Sequence, residues 1–201
     1  YTAEVDGEKI TENTIFDLTA DQTVFAHWSA NTYTISFNAN GGTSEIDSKD
    51  ITYDSTYGEL PTPSLTGYTF KGWYLDSSYS NLITKASIVK ITSNSMLYAK
   101  WGANSYTITL NADGGEVTPD SIEVEFANTY NDLPTPIKEG YTFVGWYDED
   151  QTLINNDSIV DKAREQTFTA HWSANDYTIT FNPNGGSVNP ASKTVTYDST
   201  Y

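Results

Sequence analysis

The sequence contains no cysteine, which excludes disulfide bonds, thiolate metal sites and a cysteine nucleophile. It contains no run of about 18 apolar residues, so we expect no segment to insert into a membrane. It also lacks the pattern of a signal peptide. Because the sequence opens and closes inside repeated segments, we interpret it as a part of a longer protein whose targeting segments lie elsewhere.

Basic residues are scarce. The sequence has 10 Lys and Arg against 27 Asp and Glu, which gives a formal net charge of −17. A surface of this charge repels phosphate backbones and anionic lipids, so we expect no nucleic-acid partner and no membrane-surface binding. Aromatic residues, in contrast, make up 14% of the chain and hydrophobic residues 37%. This content is enough to bury a core, so we reject disorder.

Internal repetition decides the fold prediction before local propensity does. The segment Gly-Tyr-Thr-Phe-Lys-Gly-Trp-Tyr at 67–74 returns as Gly-Tyr-Thr-Phe-Val-Gly-Trp-Tyr at 140–147. Likewise, the Tyr-Thr-Ile segment that begins at Tyr33 returns at Tyr106 and at Tyr177. These spacings predict a partial repeat at 1–32 (the C-terminal half of a unit), complete repeats at 33–105 and 106–176, and a partial repeat at 177–201 (the N-terminal part).

Each unit opens with a predicted hairpin. Tyr33, Ile35 and Phe37 alternate with polar residues, and a period of two is typical of a half-buried strand. A turn that begins at Asn40 follows, with the Asn-Gly chemistry that positive φ angles favour. A second alternating segment, with Ile51 facing inward, completes the hairpin.

The rest of the unit predicts two further strands. Residues 68–74 form the third strand, in which the glycine before the tryptophan indicates a bulge or a close backbone approach. Residues 96–101 form the closing strand. The second unit is shorter after Trp146, which predicts a loop there. Residues 156–165 predict at most one helical turn, and the short linker at 102–105 predicts restricted hinging between units.

The recurring motifs are Tyr-Thr-Ile-x-Phe-Asn-x-Asn-Gly-Gly, Gly-Tyr-Thr-Phe-x-Gly-Trp-Tyr, and a strand that ends in Tyr-Ala-Lys-Trp or Thr-Ala-His-Trp. Together they resemble the Listeria–Bacteroides repeat, a family that includes the B repeat of listerial internalins. The resemblance covers nearly the whole chain. Leu110 in place of the strand phenylalanine, and Asn131-Asp132 in place of Gly58-Glu59, are mild departures from it.

The resemblance implies a mainly β fold, with small β-grasp-like α+β repeats that contain little helix and stand in tandem. It implies a place on bacterial surface and secreted proteins, with the role of an adhesin or spacer. It implies no enzymatic activity and no cofactor.

Tryptophan recurs at equivalent positions, and two readings of it stand side by side. The rings are either platforms for sugar rings or core residues, and we favour the core, because a unit this small needs large aromatic side chains to bury enough area. The predicted structural core residues are Trp28, Trp73, Trp101, Trp146 and Trp172.

No catalytic or metal site is predicted from the polar residues. His27 and His171 occupy equivalent positions, but the middle unit has Lys100 there, and lysine cannot replace imidazole as a neutral ligand. The Asn-x-Asn-Gly-Gly turns lack the carboxylates of a calcium loop. A looser acidic site around 148–150 stays open. A lysine–asparagine crosslink is disfavoured, because Lys71 is replaced by valine in the next unit.

The leading hypothesis is a non-enzymatic stalk or spacer region of a bacterial cell-surface or secreted protein, which contacts neighbouring repeats of its own chain and serves as an adhesin. The alternative is a module that binds a host protein or a glycan. Its ligand surface would use tyrosines that follow the second strand and that we expect to be exposed, Tyr57 and Tyr130. The partial repeats at either end are further expected to expose apolar faces and strand edges. Either the parent chain completes them, or they pair between molecules.

Overall fold

The computed structural model describes residues 1–3, 6–15 and 19–200, and within these ranges the protein is mainly β, as predicted. No helix is present in the described ranges, and so none that is long and apolar enough to cross a membrane. The first sheet contains β1 (Thr32–Asn38), β2 (Ser48–Thr52), β3 (Tyr68–Tyr74), β4 (Leu82–Ile83) and β5 (Ser95–Ala103). The second contains β6 (Ser105–Asn111), β7 (Ser121–Glu125), β8 (Tyr141–Tyr147), β9 (Leu153–Ile154) and β10 (Gln166–Ala174). The third contains β11 (Asp176–Thr180) and β12 (Ser192–Thr196).

The two five-stranded sheets have the same mixed topology. Their strand orders are β2-β1-β5-β3-β4 and β7-β6-β10-β8-β9. The predicted hairpins are confirmed as antiparallel pairs, with Tyr33 opposite Ile51. The opening strand also pairs in parallel with the closing strand, which places Phe37 opposite Leu97. A parallel pair requires a long crossover connection, and the β3–β4 region supplies it. The finer β-grasp assignment stays a prediction.

By its internal contacts, the chain forms two compact units, one made of residues 1–40, 44–62 and 72–99 and the other of residues 41–43, 63–71 and 100–201. The repeat borders at 33, 106 and 177 describe the sequence period, and they stay a prediction as domain borders.

Eight buried apolar positions recur in both complete repeats. They are Ile35, Phe37, Ile51, Tyr57, Trp73, Val89, Leu97 and Ala99 in the first repeat, and Ile108, Leu110, Val124, Tyr130, Trp146, Val160, Phe168 and Ala170 in the second. The second set packs as one cluster. Ile35 and Phe37 are among them and Tyr33 is half-buried, so the period-two pattern identified the inward face of the opening strand correctly.

The glycine of the third strand sits at a bulge, as predicted. In the second repeat Gly145 lies opposite His171 and Phe143 lies opposite Trp172, so Val144 is the extra residue. The close approach comes from a leucine: a Cβ on Gly145 would lie 2.5 Å from Leu153 Cδ1. The glycine therefore makes room for a leucine side chain from the edge strand.

Two connections test the loop predictions. The β3–β4 loop runs over 75–81 and the β8–β9 loop over 148–152, so the missing residues of the second repeat fall in a loop, as predicted. The helical turn predicted within 156–165 is wrong. Ile159 instead forms a β-bridge with Thr129, and the amide of Val160 donates to the carbonyl of Asn128 at 2.8 Å. The segment thus contains a turn at 156–157 and a β-bridge in place of the helical turn, and the side chain of Val160 is buried.

Candidate functional site: the repeat junction

A single residue separates the last strand of one repeat from the first strand of the next. β5 ends at Ala103 and β6 begins at Ser105, so only Asn104 lies between them. In the same way only Asn175 lies between β10 and β11. The linker is shorter than the predicted 102–105, because the strands continue into it. One residue leaves little backbone for a hinge.

Asn104 bridges the two repeats that it joins. Its amide donates to the carbonyl of Gly67 at 2.9 Å, and its carbonyl accepts from the amide of Phe126 at 2.9 Å. Its side-chain Oδ1 accepts from the Thr69 hydroxyl at 2.5 Å. Gly67 and Thr69 belong to the preceding repeat and Phe126 to the following one. We call this set of contacts the first junction.

Asn175 makes the same contacts one repeat later, and we call them the second junction. Its amide donates to the Gly140 carbonyl at 2.9 Å, and its carbonyl accepts from the Tyr197 amide at 2.8 Å. Its Oδ1 accepts from the Thr142 hydroxyl at 2.6 Å. The recurrence shows that the junction follows from the repeated sequence and not from an accident of one loop.

An aromatic ring closes each junction over a glycine. Tyr68 meets Phe126 edge to face at 5.5 Å between ring centroids, and Tyr141 meets Tyr197 at 5.4 Å. A Cβ on Gly67 would lie 2.3 Å from the Phe126 ring. Gly67 also has φ +80°, a conformation that only glycine adopts without strain. The absent side chain therefore allows the ring of the next repeat to pack on the backbone.

The second junction contains one further hydrogen bond. The Tyr141 hydroxyl donates to Asp198 Oδ2 at 2.8 Å, and this bond raises the pKa of the Tyr141 hydroxyl. In the first junction Ala127 stands at the position of Asp198. The functional candidates that the sequence motifs did not reveal are thus residues 67, 104, 140 and 175. The signal was the recurrence of asparagine at Asn31, Asn104 and Asn175.

The tryptophans divide into three groups. Trp73 and Trp146 are buried, as predicted, and the indole of Trp146 donates to the carbonyl of Pro134 at 2.8 Å. Trp101 and Trp172 are half-buried. The core prediction is wrong for Trp28, which is 92% exposed. No described strand precedes Thr32, so within the described residues no sheet covers this ring.

The predicted ligand surface at Tyr57 and Tyr130 is wrong. The two side chains are 2% and 5% exposed and belong to the core, and burial raises the pKa of both hydroxyls. Gln166 donates to the Tyr130 hydroxyl at 3.2 Å, which satisfies this polar group inside the fold. Backbone hydrogen bonds fix both tyrosines with their rings in the core. The Tyr57 amide, for example, donates to the carbonyl of Ser87 at 3.0 Å.

The acidic segment 148–150 is occupied by basic side chains. Lys162 Nζ lies 2.8 Å from Asp148 Oδ2 and 2.6 Å from Asp150 Oδ2, and Arg164 pairs with Glu149. Burial opposes ionisation of Asp148, but the hydrogen bonds from Lys162 and from the Thr152 amide outweigh it and lower the pKa. Hydrogen bonds to Asp148 and Asp150 raise the pKa of Lys162. The acidic side chains of this segment are therefore paired with basic side chains of the same repeat.

The remaining polar residues form no metal cluster in the part of the chain that the structure describes. The ring of His171 stacks on Tyr147 at 4.0 Å. A ring nitrogen of His27 lies 2.9 Å from the carbonyl of Ala3. These contacts account for the two histidines as packed surface residues.

A shallow groove of about 400 Å³ lies beside the bulge of the second repeat, lined by residues 133–135, 143–146 and 153–157. Val144 and Leu153 in its wall are 53% and 49% exposed. The first repeat has Lys71 at the position of Val144. The groove is thus more apolar in the second repeat than its sequence equivalent in the first.

The described geometry is that of a repeat, and comparison with known proteins agrees. The sequence profile of the Listeria-Bacteroides repeat domain matches residues 33–100, 106–171 and 177–201, well over half of the chain. The chain belongs to the Listeria–Bacteroides repeat family. The resemblance drawn from the sequence motifs is thereby confirmed.

Relatives of this Listeria–Bacteroides repeat chain are much longer proteins. The chain is 37% identical over 169 residues to a protein named as a membrane protein of Evansella cellulosilytica, a match that covers 82% of the chain and 24% of that protein. It is 34% identical over 187 residues to a protein named as a Gly-rich membrane protein of the same organism, a match that covers 89% of the chain and 20% of that protein. It is 34% identical over 108 residues to internalin H of Listeria monocytogenes serovar 1/2a, a match that covers 52% of the chain and 19% of internalin H.

The chain thus spans about a quarter or less of the length of these relatives. Listeria–Bacteroides repeats are non-catalytic repeat domains of bacterial surface proteins of the internalin kind. The junction, as the part that links one such repeat to the next, is accordingly the candidate site of function.

Proposed function

We propose that the chain is a non-enzymatic spacer in a protein of the bacterial cell surface or secreted from the cell, and that its junctions hold successive repeats in a fixed geometry. The observation that carries this proposal is that Asn104 and Asn175 make the same set of contacts. Each asparagine ties the preceding repeat to the following one through two backbone hydrogen bonds and one side-chain hydrogen bond.

Electrostatic repulsion between repeats supports the spacer function together with the junctions. The net charge of −17 makes repeats of one chain, and neighbouring chains, repel each other. This repulsion reaches only about 8 Å at physiological ionic strength, so the contacts at the junction must set the geometry at short range. A spacer of this kind positions an adhesive domain at a distance from the cell, which is the adhesin role that we propose for the parent protein.

The spacer proposal predicts a narrow distribution of distances between two labelled repeats. Because the chain lacks cysteine, Thr52→Cys and Glu123→Cys introduce two unique thiols at exposed strand positions, one in each complete repeat. Spin labels on these thiols report the distance by pulsed electron resonance. We expect one narrow peak, because a single residue joins the two sheets.

The matched control inserts Gly-Ser-Gly-Ser after Asn104. A flexible linker of this composition creates a free hinge, so its distance distribution is expected to broaden clearly. If the unaltered chain gave a distribution as broad as the insertion variant, the repeats would hinge freely and the spacer would have no fixed geometry.

A second candidate function is protein binding at the groove of the second repeat. We infer that its partner is an extended, basic peptide segment with an apolar side chain. The apolar part suits Val144 and Leu153, and the basic part suits Asp157 in the groove wall and the net negative charge of the chain. A peptide is favoured over a glycan, because Trp146 is buried and presents no ring face for a sugar to stack on.

Val144→Lys tests the groove, because it places in the second repeat the lysine that the first repeat has at this position, Lys71. The probe is an array of hexapeptides that combine Arg or Lys with Leu. We expect the unaltered chain to bind a subset of them and Val144→Lys to lose most of this binding through charge repulsion. Lys71→Val, the reverse change in the first repeat, is the comparison. Binding that is unaffected by Val144→Lys would exclude the groove.

A further inference from the structure

The two junctions share one backbone geometry. The aromatic residue after the second hairpin strand donates its amide to the junction asparagine in both, Phe126 to Asn104 at 2.9 Å and Tyr197 to Asn175 at 2.8 Å. The next residue has a left-handed backbone in both, with φ +64° at Ala127 and φ +58° at Asp198. At these two positions the junctions differ in their side chains: the first has Phe126 and Ala127, and the second has Tyr197 and Asp198.

The side chain at this position reaches the preceding repeat in the second junction. Asp198 accepts a hydrogen bond from the Tyr141 hydroxyl at 2.8 Å. Tyr141 is held over the next repeat by its edge-to-face contact with Tyr197, with ring planes at 75°. The carboxylate therefore adds a charge-assisted hydrogen bond to a ring contact that is already in place.

The first junction has the same ring contact but no carboxylate. Tyr68 meets Phe126 at 84° between ring planes. Tyr68 thus stands at the position of Tyr141 and carries the same hydroxyl group. Ala127 offers a methyl group where Asp198 offers an acceptor. Alanine is also strained at φ +64°, whereas Asp tolerates left-handed backbone better. The first junction thus carries the strain of this turn without the bond that accompanies it in the second.

We propose that the residue at this turn sets how tightly a repeat is coupled to the one before it, with Asp as the tight form and Ala as the compliant form. The partner of this surface is the Gly-Tyr-Thr segment of the preceding repeat, whose tyrosine hydroxyl is the group that Asp recognises. The first junction is then the compliant joint of the chain and the second the stiff one. This inference rests on the proposed spacer function, but it is tested locally.

Amide hydrogen exchange at the junctions is the test, because the Phe126 and Tyr197 amides exchange only when their bonds to Asn104 and Asn175 open. Ala127→Asp is expected to slow exchange at Phe126 roughly fivefold to tenfold, the effect of one net hydrogen bond. Asp198→Ala is expected to accelerate exchange at Tyr197 by a similar factor.

Two controls separate the hydrogen bond from the backbone effect. Asp54→Ala changes the same turn residue, φ +63°, at a position that pairs with Lys90 in its own repeat. The change in exchange at Tyr53, whose amide donates to the carbonyl of Asn31 at 2.9 Å, reports the effect of alanine at this turn without a tyrosine partner, and exchange at Phe126 and at Tyr197 should stay unchanged. Tyr68→Phe in the Ala127→Asp background removes the donor and should cancel the part of the slowing at Phe126 that the hydrogen bond causes.

The inference is overturned if Ala127→Asp leaves exchange at Phe126 unchanged, or if Tyr68→Phe leaves the slowing undiminished. Neither result depends on the distance distribution between labelled repeats. A narrow distribution with no difference between the junctions would retain the spacer and reject the graded coupling, whereas a broad one would reject the spacer itself.

Discussion

Trp146→Ala is expected to destabilise the second repeat more than any other single substitution proposed for this chain. Its indole is buried in the core cluster of that repeat and donates to the Pro134 carbonyl. Removing such a ring costs about 3–5 kcal/mol, and a small domain has only about 5–15 kcal/mol of unfolding free energy. The lost indole also leaves the carbonyl without its donor. Thermal and urea denaturation, followed by near-ultraviolet circular dichroism, measure the loss.

Trp28→Ala is the matched control, since this ring is 92% exposed. Its effect is expected to lie within about 0.5 kcal/mol of zero, as for most surface substitutions. Trp146→Phe keeps much of the volume but not the hydrogen bond, and its loss should be intermediate. A cost below about 1 kcal/mol for Trp146→Ala would mean that the ring is not a core element, contrary to its burial.

Gly67→Ala is expected to open the first junction. The new methyl group would lie 2.3 Å from the Phe126 ring, so either the ring leaves the backbone or Gly67 shifts away from Asn104. The cost is about 2–4 kcal/mol, which combines left-handed strain with overpacking. Amide exchange at Asn104, which bonds the Gly67 carbonyl, should become much faster, and the distance distribution between labelled repeats should broaden.

Gly41→Ala separates the effect of left-handed backbone strain from the effect of a steric clash with a neighbouring ring. Gly41 has φ +92°, but a Cβ there would meet nothing within 4 Å. It should therefore cost only about 1 kcal/mol from the backbone, with no change in amide exchange at Asn104. Equal effects of the two substitutions on the junction would show that the ring contact does not couple the repeats.

Together these results would distinguish two levels of organisation. Trp146 supports the core of one repeat, whereas Gly67 supports the link to the next. Gly140 repeats the arrangement of Gly67, with a Cβ position 2.4 Å from the Tyr197 ring. A glycine that begins the Gly-Tyr-Thr motif thus has a function outside its own repeat.

The sequence alone determined four of the five strands of each complete repeat and the buried face of each hairpin, but it did not reveal the short edge strands β4 and β9 or the order of strands in the sheet. Alternation and turn chemistry are local properties, so β1, the bulge at Gly145 and the loop after β8 were predictable. The family followed from the same repeated motifs. These features depend on residues that are near neighbours in the chain.

Only the tertiary structure decided which aromatic residues face inward and which residues join the repeats. Tyr57 and Tyr130 follow a strand whose pattern has ended, and their burial depends on bonds to distant segments such as Ser87 and Ser158. Asn104 is one asparagine among many until the fold places the Gly67 carbonyl and the Phe126 amide on either side of it. The physical reason is that these contacts join residues far apart in the chain, and no local period encodes such a pairing.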